Sequence, residues 1–385
     1  MPLLAEHKDL PGLYATDLDA VEREARHMLT DAAFSYVAAG AGSGATVEAN
    51  RAAFARWGIV PRVLRDVSGH QPTTVLGATS PGPVLLAPVG ALRLIHPDGE
   101  HALARAAREL GIPFVLSAAA SVPLEHVAET NGPGDRWYEL VWTTDEAVND
   151  SQIERARAHG YTVLVISVDL PMVGWRPRHH DVANLPFLEG IGTENLAHDP
   201  AFLLGLDGKG DERAQVVRRW AEIMTDPTRT WDDLAHVRDR WDAGPIVLKG
   251  IQHVDDALRA VEAGMDGIVV SNHGGRQVDG ALGALHALPS IADAVRTLTA
   301  SAGLPKTTIL FDSGIRSGAD IIKAVALGAD AVLLGRPWVY GLGAFGPDGI
   351  GHVVRSILAD YGRTLGNAGY ANAYELTRAA VREVS

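Results

Sequence analysis

The sequence contains no cysteine. That absence excludes disulfides, thiolate metal sites and cysteine nucleophiles, leaves the redox compartment undetermined, and obliges any redox chemistry to use a bound cofactor. A basic tract is missing too: Lys and Arg number 34 against 47 Asp and Glu, a formal charge of -13 spread along the chain. An electrostatically held nucleic-acid partner is therefore not expected, and the charge mainly favours solubility. No run of about 18 uninterrupted apolar residues occurs. The N-terminal MPLLAEHKDLPGLYATDLDA lacks a basic segment followed by an apolar core. The expectation is a cytoplasmic protein with no membrane partner and no metal. What the chain does have is bulk: its 385 residues, 46% of them apolar, suit one large barrel domain or two ordinary ones.

After a stretch of helical periodicity over residues 18–39, apolar runs of strand length recur. They are VLLAP (84–88), PFVLS (113–117), WYELV (137–141), TVLVISV (162–168), PIVLK (245–249), DGIVVS (266–271), TTILFD (307–312) and ADAVLLG (329–335). Most are separated by segments of helical period such as HVDDALRAVEAG. Runs without polar alternation suit parallel strands covered on both faces, and eight in series predict a closed (β/α)8 barrel, the TIM-barrel α/β class. The whole chain, 1–385, is read as one such domain, with an N-terminal helical segment over 1–80. No internal repeat beyond this rhythm and no extended low-complexity tract is present.

One connection breaks the rhythm. Between Asp169 and Pro245 lie roughly 75 residues, far more than usually join a strand to its helix. This insertion, taken as 175–240, contains a Gly-, Asp- and Arg-rich stretch, GLDGKGDERAQ (205–215), that reads as mobile. It leaves the C-terminal end of a barrel strand, where active sites are built. A lid over the site is the functional reading; a surface excursion or an oligomer contact is the alternative.

In a barrel of this order phosphate binds at the loops after strands seven and eight. Here those loops read Asp312-Ser313-Gly314-Ile315-Arg316-Ser317-Gly318 and Gly335-Arg336-Pro337. Their glycines let backbone approach an anion and their arginines can make charge-assisted contacts with it. Directly after strand six stands Ser271-Asn272-His273-Gly274-Gly275-Arg276-Gln277. Imidazole can take a proton near neutrality, and a guanidinium three residues on offers the planar fork that matches a carboxylate. The plainer reading is a loop with a satisfied histidine. Lys249, closing strand five, is expensive there unless paired. It could stabilise an anionic reduced flavin or form a Schiff base. Asp169, closing strand four, could hold the imidazolium of His273 or simply cap a loop.

These residues resemble the FMN-dependent α-hydroxy-acid oxidases and dehydrogenases, which include glycolate oxidase, lactate oxidase and lactate 2-monooxygenase. SNHGGRQ (271–277) matches the family's active-site signature. Further matches are FSYVAAGAGSGATVEANRAAFARW (34–57), APVGALRLIHPDGE (87–100), SVDLPMVGWRPR (167–178), LKGIQHVDDA (248–257) and DSGIRSGAD (312–320). GWRPR, LPFLEG and DSGIR look nearest to the lactate 2-monooxygenase branch. The resemblance covers nearly the whole chain and implies FMN as cofactor, a small 2-hydroxy acid as substrate, O2 as acceptor, and a homotetramer or homooctamer. It implies His273 as general base with Asp169 as its partner, and Arg276, Arg176 and Tyr36 around the substrate carboxylate and hydroxyl. Lys249 is placed by it at flavin N1 and O2, and Ser117, Ser167 and Ser271 along the flavin. Asp312, Gly314, Arg316, Gly335 and Arg336 would hold the ribityl chain and phosphate, and Pro88, Val89 and Gly90 would lie near N5.

The chain departs from the family pattern on strand three, where Glu139 and Val141 replace the usual Gln and Tyr. Glu139 can accept from flavin N3–H but repels reduced flavin, which predicts a lowered potential or a protonated Glu139. Val141 removes a polar anchor. Ala118, Ala119 and Ala120 stand where relatives often carry a larger side chain. Together these predict a wider, more apolar pocket for an L-2-hydroxy acid bulkier than lactate, aryl or branched or from specialised metabolism. The product expected is the 2-keto acid, with peroxide-driven decarboxylation implied by the monooxygenase branch. Altered chemistry on a non-lactate substrate and a catalytically silent FMN-binding barrel are the alternatives.

Overall fold

Each of the eight apolar runs forms a strand in the computed structural model, which describes residues 14–69, 71–181, 186–208, 210–242 and 244–384. The strands are β1 (Val84–Leu86), β2 (Phe114–Ser117), β3 (Arg136–Leu140), β4 (Leu164–Ser167), β5 (Ile246–Ile251), β6 (Gly267–Val270), β7 (Thr308–Phe311) and β8 (Ala331–Leu334). They pair in parallel, each with the next in sequence, and β8 closes on β1 through Val332–Val84, so the sheet is a barrel without edges. Closure removes the unpaired strand edges that an open sheet exposes.

Side chains on a strand alternate between faces, and here both faces are apolar for different reasons. Leu85, Val115, Trp137, Val165, Val247 and Val269 fill the barrel interior as one cluster. Their neighbours, such as Leu86, Phe114, Leu140 and Ile166, join the larger core beneath the surrounding helices. Following the interior face toward the C-terminal mouth brings in Ser117, Glu139, Ser167 and Lys249, still in register between neighbouring strands. The interior face thus turns from apolar to polar within one strand step at the mouth.

The N-terminal segment is helical only as far as Ala55, and its first 13 residues and His70 lie outside the described residues. The stretch of helical periodicity over 18–39 forms two helices, α1 (Leu18–Met28) and α2 (Asp31–Ala38). Leu29 is extended, and the Thr30 hydroxyl accepts from the Ala33 amide at 3.2 Å, capping the second helix. After α3 (Ala45–Ala55), residues Trp57–Ile59 pair antiparallel with Val381–Glu383. A hairpin, Thr73–Val75 with Ala78–Ser80, packs Val75 and Ala78 onto the interior cluster.

The insertion between β4 and β5 carries short helical turns at Pro177–Asp181, Pro186–Glu189, Glu194–Ala197 and Pro200–Leu204, then a longer helix, Glu212–Ile223. It has its own small core of Val148, Leu196, Phe202, Val216 and Ile223. The stretch expected to be mobile is in part the start of that longer helix: the Asp211 carboxylate accepts from the Ala214 amide and caps it. Residues 182–185 and Lys209 of the insertion lie outside the described residues. Its returning end is fastened to the β3 exit by a bridge between Thr143 and Met224 and by the Thr144 amide donating to the Ile223 carbonyl at 2.9 Å. Among the described residues no helix is long and apolar enough to cross a membrane.

Candidate active site

The polar end of the barrel interior opens into a cavity of about 420 Å³. Its floor and walls come from the strand ends and its roof from the insertion. His273, Arg276, Arg176, Tyr36, Lys249, Glu139, Asp312, Gly314, Arg316, Gly335 and Arg336 all line it, with Pro88, Val89, Gly90, Ser117, Ala119 and Val141. Asp169 stands behind His273, and Ser167 and Ser271 stand behind the wall. Of the two serines expected along a flavin, Ser167 Oγ donates to Glu139 at 2.6 Å and Ser271 Oγ accepts from the His273 amide at 3.0 Å. Of the three alanines expected to widen the pocket only Ala119 faces it. Ala120 is buried in the core under the helices, and Ala118 offers its carbonyl to Asn195 Nδ2 at 3.0 Å.

His273 has a left-handed backbone, φ 56°, which costs on the order of 1–3 kcal/mol for a non-glycine residue unless the surroundings impose it. They do. Asn272 Oδ1 accepts from the Gly275 amide at 3.0 Å and Ser313 Oγ accepts from the Gly274 amide at 2.9 Å. Asn272 is itself locked in a reciprocal amide pair with Asn50 of α3, at 2.8 and 2.7 Å. Gly275, at φ 77°, lies so close to α3 that a Cβ there would meet the Val47 amide nitrogen at 2.7 Å.

The imidazole Nδ1 is 3.0 Å from Asp169 Oδ1 and 3.3 Å from Lys249 Nζ. An ammonium only donates and a carboxylate only accepts, so the shorter contact to Asp169 requires a proton on Nδ1. That leaves Nε2 unprotonated in the neutral ring, the state of a general base. Burial pushes the Asp169 carboxyl up, but His273 and Lys249 more than offset it and the net direction is down. Lys249 is likewise disfavoured by burial yet held charged by Asp169, Asp312 and Glu139. Gly250, φ 114°, sits at a register shift between β5 and β6, and a Cβ there would fall 2.5 Å from Asp169 Cβ, so glycine is what lets β5 pass this close to Asp169.

Four half-buried arginines face the cavity, and among the described residues none forms a salt bridge. Arg276 donates to the Tyr36 and Ala39 carbonyls at 2.7 and 3.0 Å. Arg176 donates to the Arg276 carbonyl and to Gln277 Oε1. Arg336 donates to the Val37, Gly274 and Ala39 carbonyls, and Arg316 to its neighbour Ile315. Burial and the adjacent Arg176 push Arg276 down to about 9. Burial lowers Arg316 and Arg336 to about 10, with the charge of a neighbouring arginine added in each case. Guanidiniums that burial disfavours and no acid offsets call for an anionic ligand.

They form two groups. Arg316 and Arg336 sit with Gly314 and Gly335 at the loops after β7 and β8; Arg176 and Arg276 sit beside Tyr36 and His273. Tyr36 hydroxyl donates to the Gly90 carbonyl at 3.1 Å and burial raises its pKa. Among the described residues the lining carries five cationic side chains, Lys249 and the four arginines, against two carboxylates, Glu139 and Asp312. A phosphomonoester, with a charge of about -1.5 to -2, and one carboxylate together neutralise that surplus. The residues present therefore fit FMN at one end and an organic acid at the other.

Several contributors had no sequence signal. Gln277 Nε2 donates to the Asp169 and Met172 carbonyls at 2.8 and 3.0 Å, strapping the insertion to the His273 turn. His179 stacks on Tyr36 at 5.8 Å. Phe187 stacks on Trp220 at 4.8 Å and 14°, and both line the cavity with Met224. Behind the Pro88–Gly90 wall, buried Glu100 accepts from the Leu92 and Ser121 amides at 3.2 and 2.9 Å, tying the loops after β1 and β2 together. Of these, Gln277, Glu100 and Phe187 fall within stretches that match the family, SNHGGRQ, APVGALRLIHPDGE and LPFLEG, but no pattern there marked these side chains. His179, Trp220 and Met224 come from the insertion, whose approach to the barrel no periodicity announces.

Comparison with known proteins gives one family. The FMN-dependent dehydrogenase profile matches residues 25–383. The chain is 43% identical over 98% of its length, and 92% of the relative's, to the FMN-dependent alpha-hydroxy acid dehydrogenase qulF of Penicillium citrinum. It is 41% identical to an L-lactate oxidase of Lysinibacillus sphaericus, covering 84% of this chain and 81% of that one. Among solved structures, mandelate oxidase with (S)-4-hydroxymandelic acid superposes with a TM-score of 0.83 at 37% identity, over 96% of this chain and 99% of that one.

Proposed function

The chain belongs to the FMN-dependent dehydrogenase family, and from that premise we propose that it oxidises an L-2-hydroxy acid bulkier than lactate to the 2-keto acid. The cofactor is FMN. One observation carries the reading: a histidine whose Nδ1 is held by Asp169 at 3.0 Å opens onto the same cavity as two half-buried arginines without salt-bridge partners among the described residues.

When bound, FMN supplies the two-electron acceptor. The chain supplies the rest. Arg316 and Arg336 hold the phosphate, and Arg176 and Arg276 fix the substrate carboxylate. Oxidation of the carbinol releases two electrons and two protons, and His273 Nε2 takes one of the protons. Asp169 then stabilises the imidazolium by the contact that already orients the ring. Ala119 and Val141 leave the wall small and apolar, and Phe187, Trp220 and Met224 extend it under the insertion. That wall supports a substrate with an aryl or branched side chain, as does the likeness to a mandelate oxidase.

The proposal extends to the acceptor, O2, and to the fate of the product. The insertion roofs the cavity, and a roof that keeps keto acid and peroxide together favours decarboxylation: R–CO–COO⁻ and H2O2 give R–COO⁻, CO2 and H2O. A dissociating product would leave as the keto acid.

The test is an anaerobic absorbance titration of the yellow protein with 2-hydroxy acids from lactate to mandelate, followed by product analysis in air. The expected result is bleaching fastest with a large side chain, then release of the shortened acid. Fastest bleaching by lactate would refute the substrate class, keto acid plus free peroxide would refute the decarboxylation, and a flavin that none of them reduces would leave a silent barrel.

A further inference from the structure

The mechanism gives Glu139 no task, yet it is an almost fully buried carboxylate in the cavity wall, 4% exposed. It projects from the end of β3 on the interior face, where Ser167 Oγ donates to its Oε1 at 2.6 Å. The same oxygen is 3.9 Å from Lys249 Nζ, and among the described residues it is the one carboxylate within salt-bridge distance of that lysine. Lys249 is itself 3% exposed and is the cavity's single ammonium among the described residues. Inside a protein, opposite charges this close cancel much of each other's field on a third group, because little water intervenes to screen them.

Two-electron reduction of a flavin leaves negative charge on its N1–C2=O edge. Addition of sulfite does the same: the sulfur lone pair forms a bond to N5 and an electron pair moves onto that edge. A cation in the flavin's cavity favours both, and a carboxylate bound to that cation disfavours both. We propose that Glu139 is a positioning residue that sets the flavin potential low by holding Lys249 and neutralising its charge. The inference rests on the reading that FMN occupies this cavity. It makes the flavin a poor trap for anions at N5 and a stronger reductant once reduced.

The experiment uses the purified holoenzyme, titrated with sulfite by absorbance and poised against reference dyes for the midpoint potential. Glu139→Gln keeps the shape and removes the charge. It is expected to bind sulfite at least tenfold more tightly and to raise the midpoint, by about 30 mV for each tenfold gain in a two-electron couple. Glu139→Asp keeps the charge but withdraws it by one methylene, and is expected to move both readouts the same way by less. In a Lys249→Met background the gain from Glu139→Gln is expected to shrink to the part that comes from the carboxylate's direct repulsion of the reduced flavin. A change below twofold in both readouts, weaker sulfite binding in Glu139→Gln, or a gain that is undiminished without Lys249 would overturn the proposal, as would loss of flavin from both Glu139 variants. A wild-type protein that carries no flavin would instead refute the reading beneath it, a failure visible before any sulfite is added.

Discussion

His273 holds its left-handed backbone because three separate groups, the Ser271 and Ser313 hydroxyls and the Asn272 amide, bind the amides around it. The turn therefore does not depend on the imidazole, and the side chain can be changed without undoing it. His273→Asn is expected to lower the rate of flavin reduction by roughly 10²–10⁴, the usual worth of a positioned base, while leaving the flavin spectrum and the melting temperature unchanged. Stopped-flow reduction beside a thermal melt checks both halves. Glu100 behaves differently. Burial raises its pKa from 4.5 to about 7, and Oε2 has no partner. The folded state thus binds its proton more tightly than the unfolded chain does. Its contribution to stability is greatest below pH 4.5, is lost as pH rises through about 7, and changes no further above that. A shift of this size corresponds to on the order of 3 kcal/mol. Glu100→Gln is expected to match the wild type in melting temperature at pH 5 and exceed it at pH 8, and a parallel pair of melting curves across that range would refute the assignment.

Elements were legible in the sequence to the extent that one physical signal governed them. The eight strands could be read because a strand buried on both faces must be apolar throughout, and nothing else in the chain competes with that pattern. The polar residues at or just beyond their C-terminal ends stood out against those runs, and His273, Lys249, Asp312, Arg316 and Arg336, singled out there, all line the one cavity. The boundary between α1 and α2 could not be placed from the pattern, because apolar periodicity continues across Leu29 and only the capping hydroxyl of Thr30 marks the stop. Ala118 and Ala120 were misplaced because the chain leaves β2 after Ser117 and strand alternation no longer applies there. The Phe187–Trp220 pair was invisible, since two residues 33 apart on different insertion helices meet only in three dimensions. One element contact gives a sharp expectation. Gly275→Ala places a methyl against the Val47 amide at 2.7 Å in a backbone region that side chains resist. A loss of about 1–3 kcal/mol in denaturant unfolding is expected from the backbone alone, with weakened flavin retention because α3 and the Arg276 turn must part. Unchanged stability would mean that α3 is free to move.

Over the whole molecule, charge is arranged against the average. A chain of formal charge -13 gathers, among the described residues, five cations and only two acids around one cavity. Self-repulsion among the half-buried arginines is relieved only when an anion is present, so ligand and fold are linked. Stripping the flavin is expected to lower the melting temperature, and inorganic phosphate is expected to restore part of the loss in a concentration-dependent way. Mass action sets the scale, about 2.7 kcal/mol at a hundredfold excess over the dissociation constant. Sodium chloride at equal ionic strength is the control, and equal recovery in both would refute a phosphate site. The ribbon in which Trp57–Ile59 pairs with Val381–Glu383 also has a consequence in time. A ribosome delivers Tyr36 and α3 early, His273 and Arg276 much later, and the strand that fastens the early segment last of all. The helices that complete the cavity must therefore wait for Asn272, which locks α3 through Asn50, so that a product shortened before it has the early barrel strands but no finished site.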